Sequence, residues 1–311
     1  MRKILITGGT GFLGKHLVEF YENNPQYKVY FCSKSTGIDL RIYQQIYDYL
    51  EDIKPDVIIH CAAHVGGIQY DKMYPIEVLE DNILISKNII KAVAESGVKT
   101  LIDIMPNCTY PAKYNIYEEK NWWNGEMHPS VLVYGFSRKT LYVYSFAYLE
   151  KFNFKVAHLI LPNLYGPGDH FDPIKSHALG ALIFKIVEAK KNNVETVEIW
   201  GTGKPIREWL YVTDAVLAIN EVLLNIEKIP NNDILNIGTG VGISILDLAN
   251  EIKKIVGWDG KFILNTNMQD GAMEKRLSNK KMKNYINWQP LYSFEEGLIK
   301  TINSYIENIH L

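Results

Sequence analysis

A glycine- and proline-rich stretch that ends in a histidine is the clearest candidate for chemistry in this sequence. It reads LPNLYGPGDHFDPIKSH over residues 161–177 and directly follows an apolar run at residues 156–161. Glycine and proline at this density after a strand predict a tight, shaped loop. His177 is the residue there best suited to move a proton near neutral pH. The stretch therefore predicts a wall of an active site or, as the alternative, a structural turn with a surface histidine.

A second candidate site lies near the start of the chain, where glycines separate a strand from a helix. Residues 3–7 are typical of a buried strand, Gly8, Gly11 and Gly14 follow, and residues 12–23 have helical periodicity. This order of elements is the dinucleotide fingerprint, in which backbone N–H groups at the helix N-terminus bind the pyrophosphate. The spacing differs from Gly-x-Gly-x-x-Gly. The alternative is an ordinary loop, and the order of elements favours a cofactor.

An alternation of strands and helices positions these two segments. The predicted strands are residues 3–7, 28–32, 56–60, 100–105 and 155–161, and the predicted helices are residues 12–23, 42–52, 78–95 and 133–151. This order predicts an α/β fold with a Rossmann-type, doubly wound parallel sheet, in which ligands bind outside the carboxyl ends of the strands. Residues 112–130, which include Trp122 and Trp123, are expected to form an irregular surface excursion.

The chain beyond His177 predicts a smaller C-terminal α/β lobe. Its predicted elements are a helix to residue 190, a strand at 197–200, an extended segment at 207–212, a helix at 214–226, a strand at 234–237, and helices at 243–256 and 294–307. We expect residues 1–165 plus about 206–240 to form an NAD(P)-binding Rossmann domain. Residues from about 166–205 plus 241–311 are expected to form the lobe that binds the substrate.

The composition bounds the partners of the protein. Its 311 residues are 47% hydrophobic and 22% charged, which is ordinary for a globular protein with a real core. The formal net charge of −2, without a basic run, does not favour nucleic acid as a partner. Cys32, Cys61 and Cys108 are scattered and odd in number, which favours a reducing compartment over a disulfide framework. No stretch predicts a signal peptide or a membrane span, so we expect a cytoplasmic protein.

The end of the second strand bears on which dinucleotide binds. Ser33 and Lys34 follow this strand, and no acidic residue follows until Asp39. A free ribose 2′-hydroxyl usually meets an acid at this point, whereas a 2′-phosphate prefers a cation. Lys34 favours NADP as the cofactor. Because an exposed lysine in a turn is commonplace, the sequence is compatible with both NAD and NADP. Asp39 and Leu40 are expected near the adenine.

Beyond these patterns, the chain resembles the extended short-chain dehydrogenase/reductases that act on nucleotide sugars, most of all the GDP-L-fucose synthases and their near relatives. The resemblance covers almost the whole length. It rests on the segments GGTGFLG, AAHVGGI, NCTYP, YGFSRK, NLYGPGDHFDPIKSH, WGTGKPIREWLYV and DGAMEKRL. It implies an oxidoreductase with hydride chemistry at C4 of a GDP-linked sugar, with NAD(P)(H) as cofactor and without a metal.

The resemblance also implies a redox centre, from which this chain departs at two positions. In the family, a tyrosine exchanges the proton of the C4 oxygen, a lysine four residues later lowers the tyrosine pKa and holds the ribose, and a Ser or Thr hydroxyl polarises the carbonyl. Tyr134 matches the tyrosine, but Arg138 stands at the lysine position and Pro106 at the Ser/Thr position. Arg138 keeps a positive charge that favours tyrosinate. Asn107 and Thr109 are the two candidates to supply the donor that Pro106 lacks.

A second catalytic pair is implied by the same resemblance. In fucose synthases, a cysteine and a histidine act as the acid and base that invert C3 and C5 beside a 4-ketone, and Cys108 and His177 match those positions. Protons next to a ketone are acidic enough for such groups once the oxyanion is stabilised. The alternatives are a small buried cysteine and a histidine that contacts phosphate or ribose.

The resemblance assigns the remaining binding residues. Trp200 matches a base wall, Arg207 a diphosphate ligand, and Lys185 and Lys275 basic positions around the nucleotide sugar. The expected cofactor contacts are Gly8, Gly11, Phe12, Leu13, Gly14, Ser33, Lys34, Asp39, Leu40, Ala62, Ala63, Val65, Asn82, Tyr134, Arg138 and Pro162. The expected substrate contacts are Asn107, Thr109, Asn163, His177, Lys185, Trp200, Arg207 and Lys275.

Three functions remain open at this point. The leading one is C4 hydride chemistry, as a 4-keto reductase or as the reverse 4-dehydrogenase. The second is a 3/5-epimerase that uses Cys108 and His177 without net redox, and the third is a cofactor-binding scaffold with impaired catalysis. In the family, the helices that correspond to residues 78–95 and 134–151 pair across a two-fold axis, so we expect a homodimer or a larger assembly built from it.

Overall fold

A parallel six-stranded sheet with helices on both faces is the centre of the protein. The computed structural model describes residues 1–171, 176–268 and 270–309. The strands are β1 (Arg2–Thr7), β2 (Tyr27–Cys32), β3 (Val57–His60), β4 (Thr100–Pro106), β5 (Ile116–Tyr117), β6 (Lys155–Leu161), β7 (Asn163–Tyr165), β8 (Thr196–Trp200), β9 (Ile206–Tyr211), β10 (Asp233–Asn236), β11 (Gly242–Ser244), β12 (Lys261–Asn265) and β13 (Glu274–Leu277). The helices are α1 (Phe12–Glu22), α2 (Tyr43–Ile53), α3 (Ile68–Met73), α4 (Pro75–Ser96), α5 (Leu132–Leu149), α6 (Ala178–Lys191), α7 (Val212–Leu224), α8 (Ile245–Val256) and α9 (Phe294–Ile309).

The order of the sheet places its carboxyl edge beside the ligand site. The strands lie in the order β10-β6-β4-β3-β1-β2, and each neighbouring pair is parallel. The chain moves from β1 to β2 on one side and then returns to β3 on the other side of β1. A crevice forms where the direction of winding reverses, and this is where doubly wound sheets bind ligands. The predicted parallel, doubly wound sheet is confirmed.

Both faces of this sheet are buried, as its strand sequences require. One face carries Ile4, Ile6 and Ile59, which pack with α1 and α7. The other carries Leu5 and Ile58, which pack with α2, α4 and α5. Alternate residues of each strand thus fill two separate cores. None of the helices that the structure describes is long and apolar enough to cross a membrane.

The smaller lobe is built on short strands that lie far apart in sequence. Strands β11, β9, β13 and β5 form one sheet in that order, β7 also pairs with β9, and β12 pairs with β8. Helices α6, α8 and α9 pack over a core that includes Ile183, Trp209 and Ile252. Five of these strands were not predicted from the sequence: β5, β7, β11, β12 and β13.

The predicted surface excursion at residues 112–130 is wrong for its central part. Trp122 is 0% exposed, its Nε1 donates to Thr109 Oγ1 at 2.8 Å, and its carbonyl accepts from Lys139 Nζ at 2.5 Å. Strand β5 also pairs with β13. A buried indole that satisfies its own N–H is an anchor. Trp123, beside it, is exposed as expected.

Candidate active site

A single long cleft connects the glycine turn to the small lobe. It encloses about 1480 Å³ and is lined both by the carboxyl edge of the large sheet and by β8 and β9. Residues 161–171, 176 and 177 of the proline-rich loop contribute to its wall through Pro162, Asn163 and His177. Residues 172–175 of that loop lie outside the described part of the chain. The cleft is therefore shared between the large sheet and the smaller lobe, as expected for a ligand that reaches from one to the other.

The glycine turn has the geometry that a dinucleotide pyrophosphate needs. Gly8 has φ +71°, and a Cβ there would lie 2.8 Å from the Ala62 backbone nitrogen. A Cβ on Gly14 would lie 2.1 Å from the Gly8 carbonyl oxygen. Gly11 caps α1 without a side chain, so the first N–H groups of the helix are left for a ligand. The turn fits a phosphate cradle.

The far end of the same site carries hydroxyls and a lysine. Ser33 Oγ lies 2.8 Å from Ser35 Oγ, which lies 3.1 Å from Thr10 Oγ1, and Lys34 beside them is exposed. Asp39, the first acid after β2, is held by Arg41 at 2.5 Å. The hydrogen bond from Arg41 keeps the pKa of the Asp39 carboxyl below its usual range. Hydroxyl groups and one cation at this point suit a phosphate better than a bare ribose hydroxyl.

Helix α5 brings Tyr134 to the cleft wall and Arg138 to a buried position behind it. Tyr134 lines the cleft. Arg138, one turn later, is 1% exposed and lies behind the cleft wall. Its Nη2 donates to Asp103 Oδ1 at 3.2 Å and to the Ile104 carbonyl at 2.9 Å. Burial raises the pKa of the Tyr134 phenol, and the charge of Arg138 works against that rise.

The geometry separates the two candidates for the donor that Pro106 lacks. Thr109 is buried, and its hydroxyl donates to the Pro106 carbonyl at 2.9 Å and accepts from Trp122 Nε1. Asn107 lines the cleft. Among the residues that the structure describes, its buried Nδ2 has no hydrogen-bond partner. An unpartnered buried donor favours a ligand, because leaving it unpaired costs about 1–3 kcal/mol. The structure therefore favours Asn107 over Thr109.

Cys108 and His177 line the same cleft as Tyr134. Burial raises the pKa of the Cys108 thiol to about 11. Desolvation by the surrounding protein, with a smaller effect of His170, lowers the pKa of the His177 imidazole. The side chain remains accessible at the start of α6. At neutral pH the cleft thus presents a protonated thiol, a protonated phenol and a neutral imidazole. These are two proton donors and one base.

Cations gather at the small-lobe end of the cleft. Lys275 on β13 and Arg207 on β9 are register neighbours, and both line the cleft. Burial lowers the pKa of Lys275, and the neighbouring charge of Arg207 adds to that effect. Lys185 Nζ lies 4.9 Å from the centre of the Trp200 ring, which is 49% exposed. Two adjacent, partly buried cations favour an anionic ligand, and an open indole offers a surface for stacking a base.

The structure brings most of the expected contact residues together and sets three of them apart. The cleft is lined by Gly8, Gly11, Phe12, Leu13, Gly14, Ser33, Lys34, Asp39, Leu40, Ala62, Ala63, Val65, Asn107, Cys108, Tyr134, Pro162, Asn163, His177, Lys185, Trp200, Arg207 and Lys275. Thr109 and Arg138 lie behind the wall, as does Asn82. Asn82 Nδ2 donates to the His64 carbonyl at 2.8 Å, and Asn82 Oδ1 accepts from the His64 backbone N–H at 3.0 Å. Its geometry supports positioning of the wall rather than contact with a cofactor.

Sequence reasoning missed two acids of this region. Asp103 is the buried partner of Arg138 and also accepts from His158 Nδ1 at 2.9 Å. Asp71, on α3, lines the cleft with a buried carboxylate. The motif VGGI points to the loop before α3, but no sequence signal shows that Asp71 faces inward. Among the described residues, no cluster of three or more His, Cys, Asp or Glu side chains could hold a metal.

The fold and the cleft together define a Rossmann-type, dinucleotide-dependent enzyme. The chain belongs to the NAD dependent epimerase/dehydratase family, whose model matches residues 4–238. Its cofactor is a nicotinamide dinucleotide.

The individual relatives agree with this family. The chain is 33% identical to a GDP-L-fucose synthase from Azorhizobium caulinodans, over 98% of this chain and 96% of the relative. It superposes on a GDP-L-fucose synthetase from Naegleria fowleri bound to NADP with a TM-score of 0.87 and 27% identity, covering 99% and 94% of the two chains. A GDP-6-OMe-4-keto-L-xylo-heptose reductase from C. jejuni has a TM-score of 0.91 over 99% and 98%, and at 24% identity it shows the fold alone.

Proposed function

We propose that this protein is an NADPH-dependent epimerase/reductase that acts on a GDP-linked 4-keto sugar. The observation that carries the proposal is the position of Tyr134, Cys108 and His177 on one cleft, between the glycine turn and the cations of Arg207 and Lys275. A dinucleotide at the first end and a sugar diphosphate at the second would meet at these three side chains. The names of the relatives, which are GDP-L-fucose synthases, support GDP as the nucleotide.

The reduction needs one hydride and one proton. A bound nicotinamide dinucleotide would supply the hydride to C4 and would itself be oxidised. The Tyr134 phenol, which burial keeps protonated, donates the proton to the C4 oxygen, so that the ketone becomes a hydroxyl. Asn107 Nδ2 is placed to donate to the same oxygen as negative charge develops there. A protonated phenol suits the direction of reduction better than the reverse 4-dehydrogenation.

The epimerisation needs a base and an acid next to the ketone. His177, held neutral, removes the proton from C3 or C5, and the electron pair moves into the enolate of the 4-ketone. The Cys108 thiol, held protonated, returns a proton to the same carbon from the other face. No net redox occurs in this step. Pro106 in place of a hydroxyl favours a second candidate function, in which the protein carries out the epimerisation alone.

One incubation separates these functions. The purified protein is mixed with GDP-4-keto-6-deoxymannose and NADPH in deuterated water, and the products are read by mass spectrometry. The epimerase/reductase incorporates solvent deuterium at carbon and also consumes NADPH. An epimerase without reduction gives the deuterium label alone. Neither label nor NADPH consumption, with this sugar or with other GDP-4-keto sugars, would leave only the cofactor-binding scaffold.

The same proposal includes a homodimer that forms through α4 and α5. These two helices pack side by side in the protein. Both leave large apolar side chains in solvent: Leu84, Phe136, Val143 and Phe146. Phe146 is 60% exposed. Light scattering at micromolar concentration should give twice the monomer mass, and a Phe146→Asp variant should shift it toward the monomer.

We further propose that the two lobes divide the binding, with residues 1–165 plus about 206–240 as the dinucleotide domain and the rest as the nucleotide-sugar lobe. Arg207 is the exception, because β9 pairs with β13 of the small lobe and would present it to the sugar diphosphate. A cytoplasmic location fits the free cysteines Cys32, Cys61 and Cys108.

A further inference from the structure

Asp71 occupies a place in the cleft that the mechanism above does not use. It lies on the short helix α3, which follows the loop His64–Gly67 and packs against the segment just before α5. Its side chain lines the cleft and is 8% exposed. Its charge adds to the effect of burial in raising the pKa of both Tyr134 and Cys108. Asp71 is therefore close to the two residues that would handle protons of the sugar.

The carboxylate of Asp71 lacks a partner in the protein. Across residues 1–171, 176–268 and 270–309, Oδ1 makes no hydrogen bond, and no cation forms an ion pair with the side chain. The neighbouring His64 is already bound by Asp81 at 2.8 Å and by Tyr70 at 2.9 Å. Burial raises the pKa of Asp71 to about 6. A buried acid without a partner destabilises the fold, so its retention favours a ligand that completes it.

Four other aspartates of the cleft wall have partners in the protein, and the remaining acid, Glu198, is exposed to solvent. Asp39 and Asp81 bind Arg41, and Asp270 binds Thr202 Oγ1 at 2.6 Å. Asp169 accepts from the backbone of His170 at 2.7 Å. Asp71 differs from all four because one of its buried oxygens is unpaired.

The charges along the cleft indicate which chemical group of a ligand would lie beside Asp71. The cations Arg207 and Lys275 lie on the small-lobe side, where an anionic diphosphate is attracted, and Lys275 is near enough to Cys108 to lower the pKa of its thiol. A phosphate beside Asp71 would be repelled by its carboxylate. A group that completes the Asp71 carboxylate must donate a hydrogen bond. A sugar hydroxyl does so and, unlike a phosphate, is not repelled by the carboxylate.

We propose that Asp71 is a specificity-determining residue that accepts a hydrogen bond from a hydroxyl of the bound sugar, beside the reacting carbons. This assignment of Asp71 rests on the proposed function only in that it takes a nucleotide sugar as the ligand. Together with the cations of the small lobe, Asp71 fixes which way the nucleotide sugar lies in the cleft. It also discriminates between sugars, since a ring that lacks this hydroxyl leaves the carboxylate unpaired.

The test compares binding of GDP and GDP-mannose to the wild type and to Asp71→Asn by calorimetry. A hydrogen bond to a charged acceptor is worth about 10- to 150-fold in affinity. The variant should lose that factor for GDP-mannose and keep the wild-type affinity for GDP. Lys72→Ala, on the exposed side of the same helix, should change neither. The thermal midpoint of Asp71→Asn at neutral pH should equal or exceed that of the wild type, because an unpaired buried charge is removed.

Three results would overturn the assignment. They are unchanged GDP-mannose affinity in Asp71→Asn, an equal loss for GDP and GDP-mannose, and a lowered thermal midpoint, which would show a structural role. A wild type that binds GDP-mannose no more tightly than GDP would also contradict it. By contrast, a sugar-dependent loss in Asp71→Asn, combined with a wild type that never oxidises NADPH, would refute the proposed reductase and leave the role of Asp71 intact.

Discussion

Arg138 on α5 donates from Nη2 to the carboxylate of Asp103 on β4, at 3.2 Å, with both side chains fully withdrawn from solvent. Asp103 also accepts from His158 on β6, and the two residues are register partners in the sheet. Burial raises the pKa of Asp103, but the hydrogen bond from His158 and the charge of Arg138 outweigh it and hold the pKa below its usual range. The guanidinium of Arg138, one helical turn after Tyr134, is therefore held in place by two strands of the central sheet.

This ion pair predicts a shift in the pH profile of reduction. Burial and Asp103 both raise the pKa of Tyr134, whereas Arg138 lowers it. Asp103→Asn removes one raising charge, so the Tyr134 pKa falls. Because reduction uses the protonated phenol, the alkaline decline of kcat should begin at a lower pH than in the wild type. A decline that stays in place, or moves to higher pH, would show that Asp103 does not act on Tyr134.

The same substitution should be strongly destabilising. Breaking a buried pair from one side typically costs about 3–5 kcal/mol, because an uncompensated charge remains. Asp233→Asn is the matched control, since its ion pair with Lys281 at 2.6 Å is partly exposed. That control should lose no more than about 1 kcal/mol in urea unfolding.

The glycine turn predicts opposite effects on cofactor binding and on stability. Gly11 has φ −78° and caps α1, so an aspartate fits its backbone and is a preferred cap. A Cβ there would lie 3.1 Å from the Gly8 carbonyl oxygen, a tight contact that offsets part of this gain. Gly11→Asp should therefore fold with a stability within about 1 kcal/mol of the wild type. Its carboxylate occupies the phosphate cradle, and NADPH binding should be lost.

Fluorescence titration with NADPH measures this loss. Asn24→Asp, just beyond the other end of α1, adds the same charge away from the cleft and should bind NADPH normally. NADPH affinity in Gly11→Asp equal to that of the control would refute the cradle. Gly14 is less suited to this test, because a side chain there would collide with Gly8 and disturb the fold.

Asn107 and Thr109 should behave differently when their polar groups are removed. If Asn107 polarises the carbonyl, Asn107→Leu should lower kcat about 10²–10³-fold with NADPH affinity kept, as for loss of one oxyanion donor. Thr109→Val should lower the thermal midpoint, because Trp122 Nε1 loses its acceptor, while kcat of the folded protein changes little. Steady-state kinetics with GDP-4-keto-6-deoxymannose distinguishes the two. The reverse pattern would assign the donor to Thr109.

The sequence was sufficient for five strands of the large sheet and insufficient for what lies beneath the cleft wall. The sixth strand, β10, was predicted among the elements of the smaller lobe and instead pairs with β6. Strands such as β1 and β3 are local apolar runs, and their period and flanking turns are visible without any partner. Strand β5 is two residues long and pairs with β13, about 160 residues later, so no local pattern marks it. The place of Arg138 depends on Asp103, 35 residues earlier on a strand that reads as apolar. Trp122 is buried for a similar reason, through Thr109 and Lys139.

Site residues whose chemistry follows from their residue type were predicted from the sequence. Those whose importance depends on burial in the fold were missed. Tyr134, Cys108 and His177 were found through motifs, and the structure places all three on one cleft. Whether those side chains perform the proposed reactions stays a prediction. Asp71 is an ordinary acid in the sequence, and only its burial and its unpaired oxygen distinguish it.

The most direct measurement follows hydride transfer and carbon deuteration together in Tyr134→Phe. The variant is mixed with NADPH and GDP-4-keto-6-deoxymannose in deuterated water, and NADPH absorbance and product mass are followed in one reaction. We expect hydride transfer to fall by about 10²–10⁴-fold, because the general acid is gone. Deuterium incorporation should persist, because Cys108 and His177 remain in place. Hydride transfer at the wild-type rate in Tyr134→Phe would contradict the account.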